Sequence, residues 1–82
     1  MPTPTGLPRT GEIWQLELPT ARPRQVVVIS RSTGDYWSLR VAARRGGVWR
    51  RDLWVDPAYW LAKGWLTYVD QAGPQTRADL GL

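Results

Sequence analysis

Residues 36–55 read YWSLRVAARRGGVWRRDLWV, two alternating segments joined by a pair of glycines. Alternation of apolar and polar side chains has the period of two that is typical of a β-strand with one buried face. Gly46 and Gly47 can adopt the positive φ angles that a tight turn between antiparallel strands requires. We therefore predict a β-hairpin with strands over residues 36–43 and 48–55.

The residues before this hairpin continue the β pattern. Residues 24–31 contain four consecutive β-branched side chains, a run too short for a stable helix and typical of a central strand. Residues 11–18 alternate again, and Pro19 ends them. Turn-forming residues at 32–35 separate the second and third strands. The sequence thus predicts four consecutive antiparallel strands joined by short loops.

The residues after the hairpin predict a short helical turn and a last strand. Asp56 can cap a helix, Pro57 suits the first helical position, and Gly64 suits the left-handed residue that ends one. Residues 65–69 alternate as a fifth strand. This order of elements resembles that of the SH3-like small barrel. We therefore predict an all-β fold, a five-stranded SH3-like barrel with one short helical turn before the last strand.

Eighty-two residues are enough for one domain. Residues 1–10 contain three prolines and no apolar pattern, and residues 70–82 are polar apart from Leu80, Leu82 and two alanines. We predict a flexible N-terminal arm over 1–10, the SH3-like barrel over 11–69, and a flexible C-terminal tail over 70–82.

The composition excludes several kinds of chemistry. The chain has no Cys and no His, which removes disulfides, thiolate nucleophiles, Cys-based zinc sites and the commonest general base. The carboxylates form no pair at a spacing diagnostic of acid–base catalysis. No long apolar run indicates a membrane span or a signal peptide, so we expect a cytoplasmic protein. The prediction is a binding protein, not an enzyme, with no cofactor and no metal.

Positive charge is concentrated in the middle of the chain. The net charge is +4, yet residues 22–51 contain eight arginines and one acidic residue, Asp35. Such an excess predicts an anionic partner, either nucleic acid or an acidic protein surface. The alternative is a genome-wide preference for arginine, which leaves Lys63 as the single lysine and needs no partner.

Six tryptophans are unusual in so short a chain. Trp14, Trp37 and Trp49 share the apolar face of their strands with Leu and Val, which predicts that they are buried in the core. Tyr36 and Trp54 fall on the opposite face, and Trp54 is the ring we expect to be exposed. An exposed ring of this kind stacks on nucleobases at roughly 1–3 kcal/mol per base. The alternative for Trp54 is burial under the helical turn or at a dimer contact.

The hairpin is the densest candidate for a binding site. Arginine pairs flank its tip on both sides, and guanidinium groups can bind phosphates through two hydrogen bonds. The predicted residues for binding nucleic acid or another partner are Arg40, Arg44, Arg45, Arg50, Arg51, Tyr36 and Trp54. The alternative is a solvated hairpin tip that binds nothing.

The first two strands carry a second, local resemblance, within residues 11–30. Residues 11–14 read GEIW and residues 24–30 read RQVVVIS. They resemble the opening strands of MazF/PemK-type toxins, a family of SH3-like barrels that cleave single-stranded RNA. The resemblance implies that Arg24 corresponds to the catalytic arginine of that family and Ser30 to the serine that closes the strand.

Two departures from the family pattern bear on activity. Gln25 stands where the family has proline, and residues 39–43, LRVAA, offer no hydroxyl where the family has its catalytic Thr or Ser. Ser38 is the nearest hydroxyl and lies too early in the chain. We therefore expect no RNA cleavage.

Three functions remain open at this point. The first is a nucleic-acid-binding module. The second is a protein-interaction domain, such as a phage-type inhibitor or adaptor of a host protein, because aromatic residues and arginine are also enriched at protein interfaces. The third is a MazF-like endoribonuclease. A continuous basic groove favours nucleic acid, whereas an apolar patch with scattered arginines favours a protein partner. No pattern in the sequence specifies an oligomeric state.

Overall fold

The computed structural model describes residues 6–33 and 37–82, with only the backbone for Thr33. Within these residues the elements follow in the order β1 (Glu12–Leu16), β2 (Arg24–Thr33), β3 (Trp37–Arg45), β4 (Val48–Val55), α1 (Ala58–Ala62), β5 (Leu66–Gln71) and α2 (Pro74–Leu80). The five strands form one antiparallel sheet in the order β4-β3-β2-β1-β5. The predicted β-rich fold, the central position of β2 and the helical turn before the last strand are confirmed.

The β3–β4 hairpin turns on two glycines. Gly46 and Gly47 have φ angles of 56° and 79°, a left-handed pair that fits the twist of antiparallel strands. Arg45 pairs with Val48 across the turn, and Arg44 pairs with Trp49. Arg44 and Arg45, next to the predicted tip, therefore lie on paired strands. The strand register fixes the directions of their side chains.

The sheet is apolar on both faces. The inner core consists of Trp14, Leu16, Val26, Val28, Leu39, Val41, Trp54 and Leu66. A smaller outer cluster consists of Val27, Ala42, Ala72 and Leu80. Because neighbouring residues of a strand point to opposite sides, we call the side of Val26 and Val41 the inner face and the side of Val27 and Ala42 the outer face. Burial on both sides explains the uninterrupted β-branched run of β2.

The predicted exposure of Trp54 is wrong. Trp54 is only 5% exposed and belongs to the inner core, while its neighbours Leu53 and Val55 are 46% and 66% exposed. It pairs across the sheet with the fully buried Leu39. Its ring meets Trp60 of α1 edge-on at 5.1 Å between centroids. The alternative of burial under the helical turn is therefore correct.

The C-terminal residues differ from the flexible tail that the sequence predicts over 70–82. They complete β5 and form α2, whose Leu80 is 5% exposed and packs in the outer cluster. Proline at the first turn of α2 and a left-handed glycine after it are the usual start and stop signals. One buried leucine is enough to attach a helix of two turns, and one leucine produces no periodic pattern.

Arg77 fixes α2 to the sheet. Its Nε donates to the carbonyl of Ala72 and its Nη2 donates to Oε1 of Gln71, both at 3.0 Å. The guanidinium lies against Gly11, where a Cβ atom would come within 2.6 Å of it. The helix is therefore held by hydrogen bonds as well as by Leu80.

The N-terminal arm contacts the sheet through Pro8 and Arg9, just before β1. Residues 1–5 lie outside the described residues, but Pro8 is buried and its carbonyl accepts a hydrogen bond from Arg31 at 3.2 Å. The backbone N–H of Arg9 donates to Oε1 of Glu12 at 2.6 Å.

None of the helices in the described residues is long and apolar enough to cross a membrane.

Candidate functional site

The five arginines predicted from the hairpin do not share one face of the sheet. The strand register places Arg44 opposite Trp49, Arg40 opposite Leu53, and Arg51 opposite Ala42. Alternation along β3 and β4 therefore directs these three arginines to the outer face. By the same alternation the remaining two, Arg45 and Arg50, belong to the inner face. All five side chains are exposed.

The two predicted aromatic residues do not join them. Tyr36 lies outside the described residues, and Trp54 is buried in the inner core. The ring that accompanies the arginines is that of Trp49, which is half-buried on the outer face and packs against the outer cluster. Its buried Nε1 has no hydrogen-bond partner among the described residues.

A hollow of about 410 Å³ opens on the outer face, and we call it the outer hollow. Its apolar lining includes Ile13, Val27, Ala42 and Trp49, and its polar lining consists of Arg24, Gln25, Arg44, Arg45 and Thr76. The Arg44 guanidinium carbon lies 5.9 Å from the centroid of the Trp49 ring. This cation–π contact orients one guanidinium beside the apolar lining of the hollow.

A second hollow, of about 570 Å³, adjoins the first at the start of β2. It is lined by Leu16, Leu18, Ala21, Arg22, Pro23, Arg24 and Arg45. Arg24 and Arg45 thus line both hollows. The guanidinium of Arg24 lies 5.7 Å from the centroid of the Trp54 ring, so the buried tryptophan still acts on the surface through its π face.

These hollows define the arginine end of the molecule, which consists of Arg22, Arg24, Arg44 and Arg45. The sequence-based site contains only the last two. The other two come from the loop before β2 and from its first residue, and the pairing of β2 with β3 brings them to the end of the hairpin. The sequence signal that points to Arg22 and Arg24 is their position within the positively charged segment of residues 22–51.

The remaining predicted arginines lie elsewhere. Arg40 and Arg51 line a separate hollow of about 320 Å³, together with Ile29, Asp52 and Leu53. Arg50 lines a space of about 30 Å³ beside Trp54 on the inner face, and Arg24 of the arginine end lines it as well. The acidic Asp52 lines both of these spaces and reduces the positive field there. The arginine end is therefore the stronger candidate for binding an anion.

The chemistry of the arginine end is that of binding. Guanidinium groups donate hydrogen bonds in a fixed fork that matches phosphate and carboxylate oxygens. Guanidinium hydrogen bonds within the described part of the chain belong to Arg31 and Arg77, away from this end. No group of three or more acidic residues among the described residues is arranged to hold a metal ion.

No protein-family model matches the chain, and no curated protein or solved structure matches it either. What the protein binds is therefore inferred from the charge, the shape and the aromatic content of the arginine end.

Proposed function

We propose that this protein is a nucleic-acid-binding module without catalytic activity, and that it binds single strands at the arginine end. The observation that carries the proposal is the pair of adjoining hollows that share Arg24 and Arg45. Shared arginines make the positive charge continuous from one hollow to the next, as a phosphate backbone requires.

The half-buried Trp49 supports a single strand over a duplex, whereas Trp54, which is 5% exposed, offers no face to a base. Two of the guanidiniums at this end lie over indole rings, Arg24 over Trp54 and Arg44 over Trp49. The outer hollow adds apolar side chains of three strands beside the Trp49 ring. Unpaired bases expose their planar faces to such surfaces, whereas the bases of a duplex stack on one another.

We also propose that the sheet curls into an SH3-like barrel. The inner core contains side chains from all five strands, including Trp54 of β4 and Leu66 of β5 at opposite edges of the sheet. Adjacent strands lie about 4.8 Å apart, so in a flat sheet of five strands these edges would be roughly 19 Å apart. Because Trp54 and Leu66 belong to the same packed cluster, a curled sheet fits better than a flat one. In a curled sheet the β3–β4 hairpin lies at one end of the barrel.

A protein-interaction domain is the second candidate, and a different region favours it. Leu53 and Val55 near the end of β4 are 46% and 66% exposed, and Tyr59 of α1 is 59% exposed. β4 is also an edge strand of the sheet. Exposed apolar side chains beside an unpaired strand edge are typical of surfaces that bind another chain.

Binding to single-stranded and duplex oligonucleotides across a salt series tests the proposal. We expect tighter binding of the single strands, with log K falling by about 0.7 per phosphate contact for each unit of log salt. The double variant Arg44→Ala/Arg45→Ala should weaken binding of all sequences and reduce the salt slope by up to about 1.4.

The double variant Arg40→Ala/Arg51→Ala is the matched control, because it removes the same charge from the same hairpin outside the arginine end. We expect it to change the slope much less. Equal losses in the two double variants would contradict the assignment to the arginine end. An intact protein with no salt-dependent affinity for nucleic acid would overturn the proposal in favour of an acidic protein partner.

A further inference from the structure

We propose that the outer hollow binds one nucleotide of the strand, with the base against its apolar lining and the adjacent phosphate on its arginines. This inference deepens the proposed function and rests on it. The volume of about 410 Å³ lies within the range of roughly 300–1,000 Å³ that is typical of pockets for small organic ligands. The hollow therefore has room for more than a phosphate ion.

The apolar lining fits a flat group. Ile13, Val27 and Ala42 come from three neighbouring strands, β1, β2 and β3, and together form an apolar patch. Val27 and Ala42 are only 4% and 0% exposed, so they form its floor, and the half-buried Ile13 supplies its accessible surface. Trp49 of β4 extends this patch. A nucleobase has a planar face that can cover such a surface, and it gains stacking energy from an indole ring.

Two neutral polar residues fit the edge of a base. Gln25 lines the hollow, and its Nε2 donates to Oε1 of Gln15 at 3.3 Å, which leaves its own Oε1 as an acceptor. Thr76 of α2 offers a hydroxyl that both donates and accepts. Bases carry donors and acceptors on the same edge, whereas the carboxylates of an acidic peptide only accept. The mixed lining therefore favours a nucleotide over an acidic peptide.

Charge decides where the phosphate lies. Arg44 of the outer face lines the hollow, and Arg24 and Arg45, the end residues of β2 and β3, line both this hollow and the second one. Alternation directs Arg45 to the inner face, and the guanidinium of Arg24 lies over Trp54, so Arg44 is the arginine that belongs to the outer hollow itself. The Trp49 ring already orients Arg44, so less conformational entropy is lost when this guanidinium binds a phosphate. The wall formed by α2 is fixed in advance as well, because Arg77 binds the carbonyl of Ala72. The hollow is thus largely formed before any ligand enters.

Methyl NMR of the full chain tests this inference directly. The reporters are the methyl groups of Ile13, Val27 and Ala42, and the probes are the four nucleoside 5′-monophosphates, a nucleoside and inorganic phosphate. We expect saturable shifts of these methyl signals with at least one monophosphate, at lower concentration than with the nucleoside. Inorganic phosphate should move arginine N–H signals without moving the methyl signals.

Gln25→Trp should weaken monophosphate binding about tenfold or more by filling the hollow, while Gln25→Ala, which leaves it open, should weaken it less.

Absence of methyl shifts with all four monophosphates would overturn the inference even if oligonucleotides bind, and the proposed function would then stand alone. Methyl shifts without oligonucleotide binding would support the hollow and overturn the proposed function. Shifts caused by an oligoglutamate peptide, and by no monophosphate, would overturn both in favour of a protein ligand.

Discussion

The two faces of the sheet are built from alternate residues of the same strands, yet they are covered to different extents. The inner face is closed by side chains of all five strands, with Trp60 of α1 over Trp54. Among the described residues, α2 covers part of the outer face by placing Leu80 near Val27 and Ala42. Beyond α2 the outer face remains open as the outer hollow.

This difference separates stability from binding. The inner core is complete within the chain, so its residues contribute mainly to the free energy of folding. The open part of the outer face combines the half-buried Ile13 and Trp49 with Arg44, and under the proposed function this part contacts the nucleic acid. Substitutions on the inner face should therefore lower the free energy of unfolding, whereas substitutions on the open part of the outer face should weaken oligonucleotide binding.

Tryptophan substitutions give the largest expected effect. Trp54→Ala removes a buried ring from the inner core, and we expect it to lower the free energy of unfolding by about 3–5 kcal/mol. Trp49→Ala removes a half-buried ring of the outer face and should cost clearly less stability while weakening oligonucleotide binding. Urea denaturation and binding of each variant measure both effects. Equal losses of stability would break the distinction between the faces.

The attachment of α2 gives an intermediate effect. Leu80→Ala removes the one buried residue of this helix, and we expect a loss of about 2–3 kcal/mol, at the lower end for buried leucines. Leu82→Ala is the control, since Leu82 is 37% exposed and should cost little. Thermal unfolding of both variants provides the comparison. A melting temperature unchanged by Leu80→Ala would show that the burial of Leu80 contributes nothing to the stability of the fold.

Much of the fold follows from local signals in the sequence. The observed bounds of β4 coincide with the predicted residues 48–55, because Gly47 and Asp56 interrupt the alternation at both ends. The helical turn lies where Pro57 and Gly64 predict it, although Pro57 is the residue before the helix rather than its first residue and Asp56 does not cap it. These signals act within a few residues, so no knowledge of distant contacts is needed.

The face that Trp54 occupies does not follow from the sequence in this way. β4 carries large apolar residues at both parities, Val48 and Trp54 on one side and Trp49, Leu53 and Val55 on the other. A period of two divides these residues into faces without identifying the buried one. The decision depends on Leu39 across the sheet and on Trp60 from α1.

The grouping of the arginines follows from the sequence only in part, for a similar reason. The charge pattern identified Arg44 and Arg45, while Arg22 and Arg24 join them only through the pairing of β2 with β3. Arg40, Arg50 and Arg51 are equally basic in sequence, but the strand register places them beside Asp52. Long-range pairing, which composition does not contain, thus brings the arginine end together, while Arg24 also lines the space that Arg50 and Asp52 share.

The smallest expected effect is on RNA cleavage, where we expect no difference between the intact protein and its Arg24 variant. The resemblance to MazF/PemK-type toxins implies a catalytic role for Arg24, whereas under the proposed function Arg24 binds phosphate, with its guanidinium over the Trp54 ring and its side chain between two hollows. We expect long single-stranded RNA to remain intact with the protein, because residues 39–43 provide no hydroxyl after the third strand. Arg24→Ala should then weaken RNA binding and leave the RNA equally intact, as judged on a denaturing gel. Site-specific cleavage by the intact protein that disappears in Arg24→Ala would instead make the outer face part of a ribonuclease.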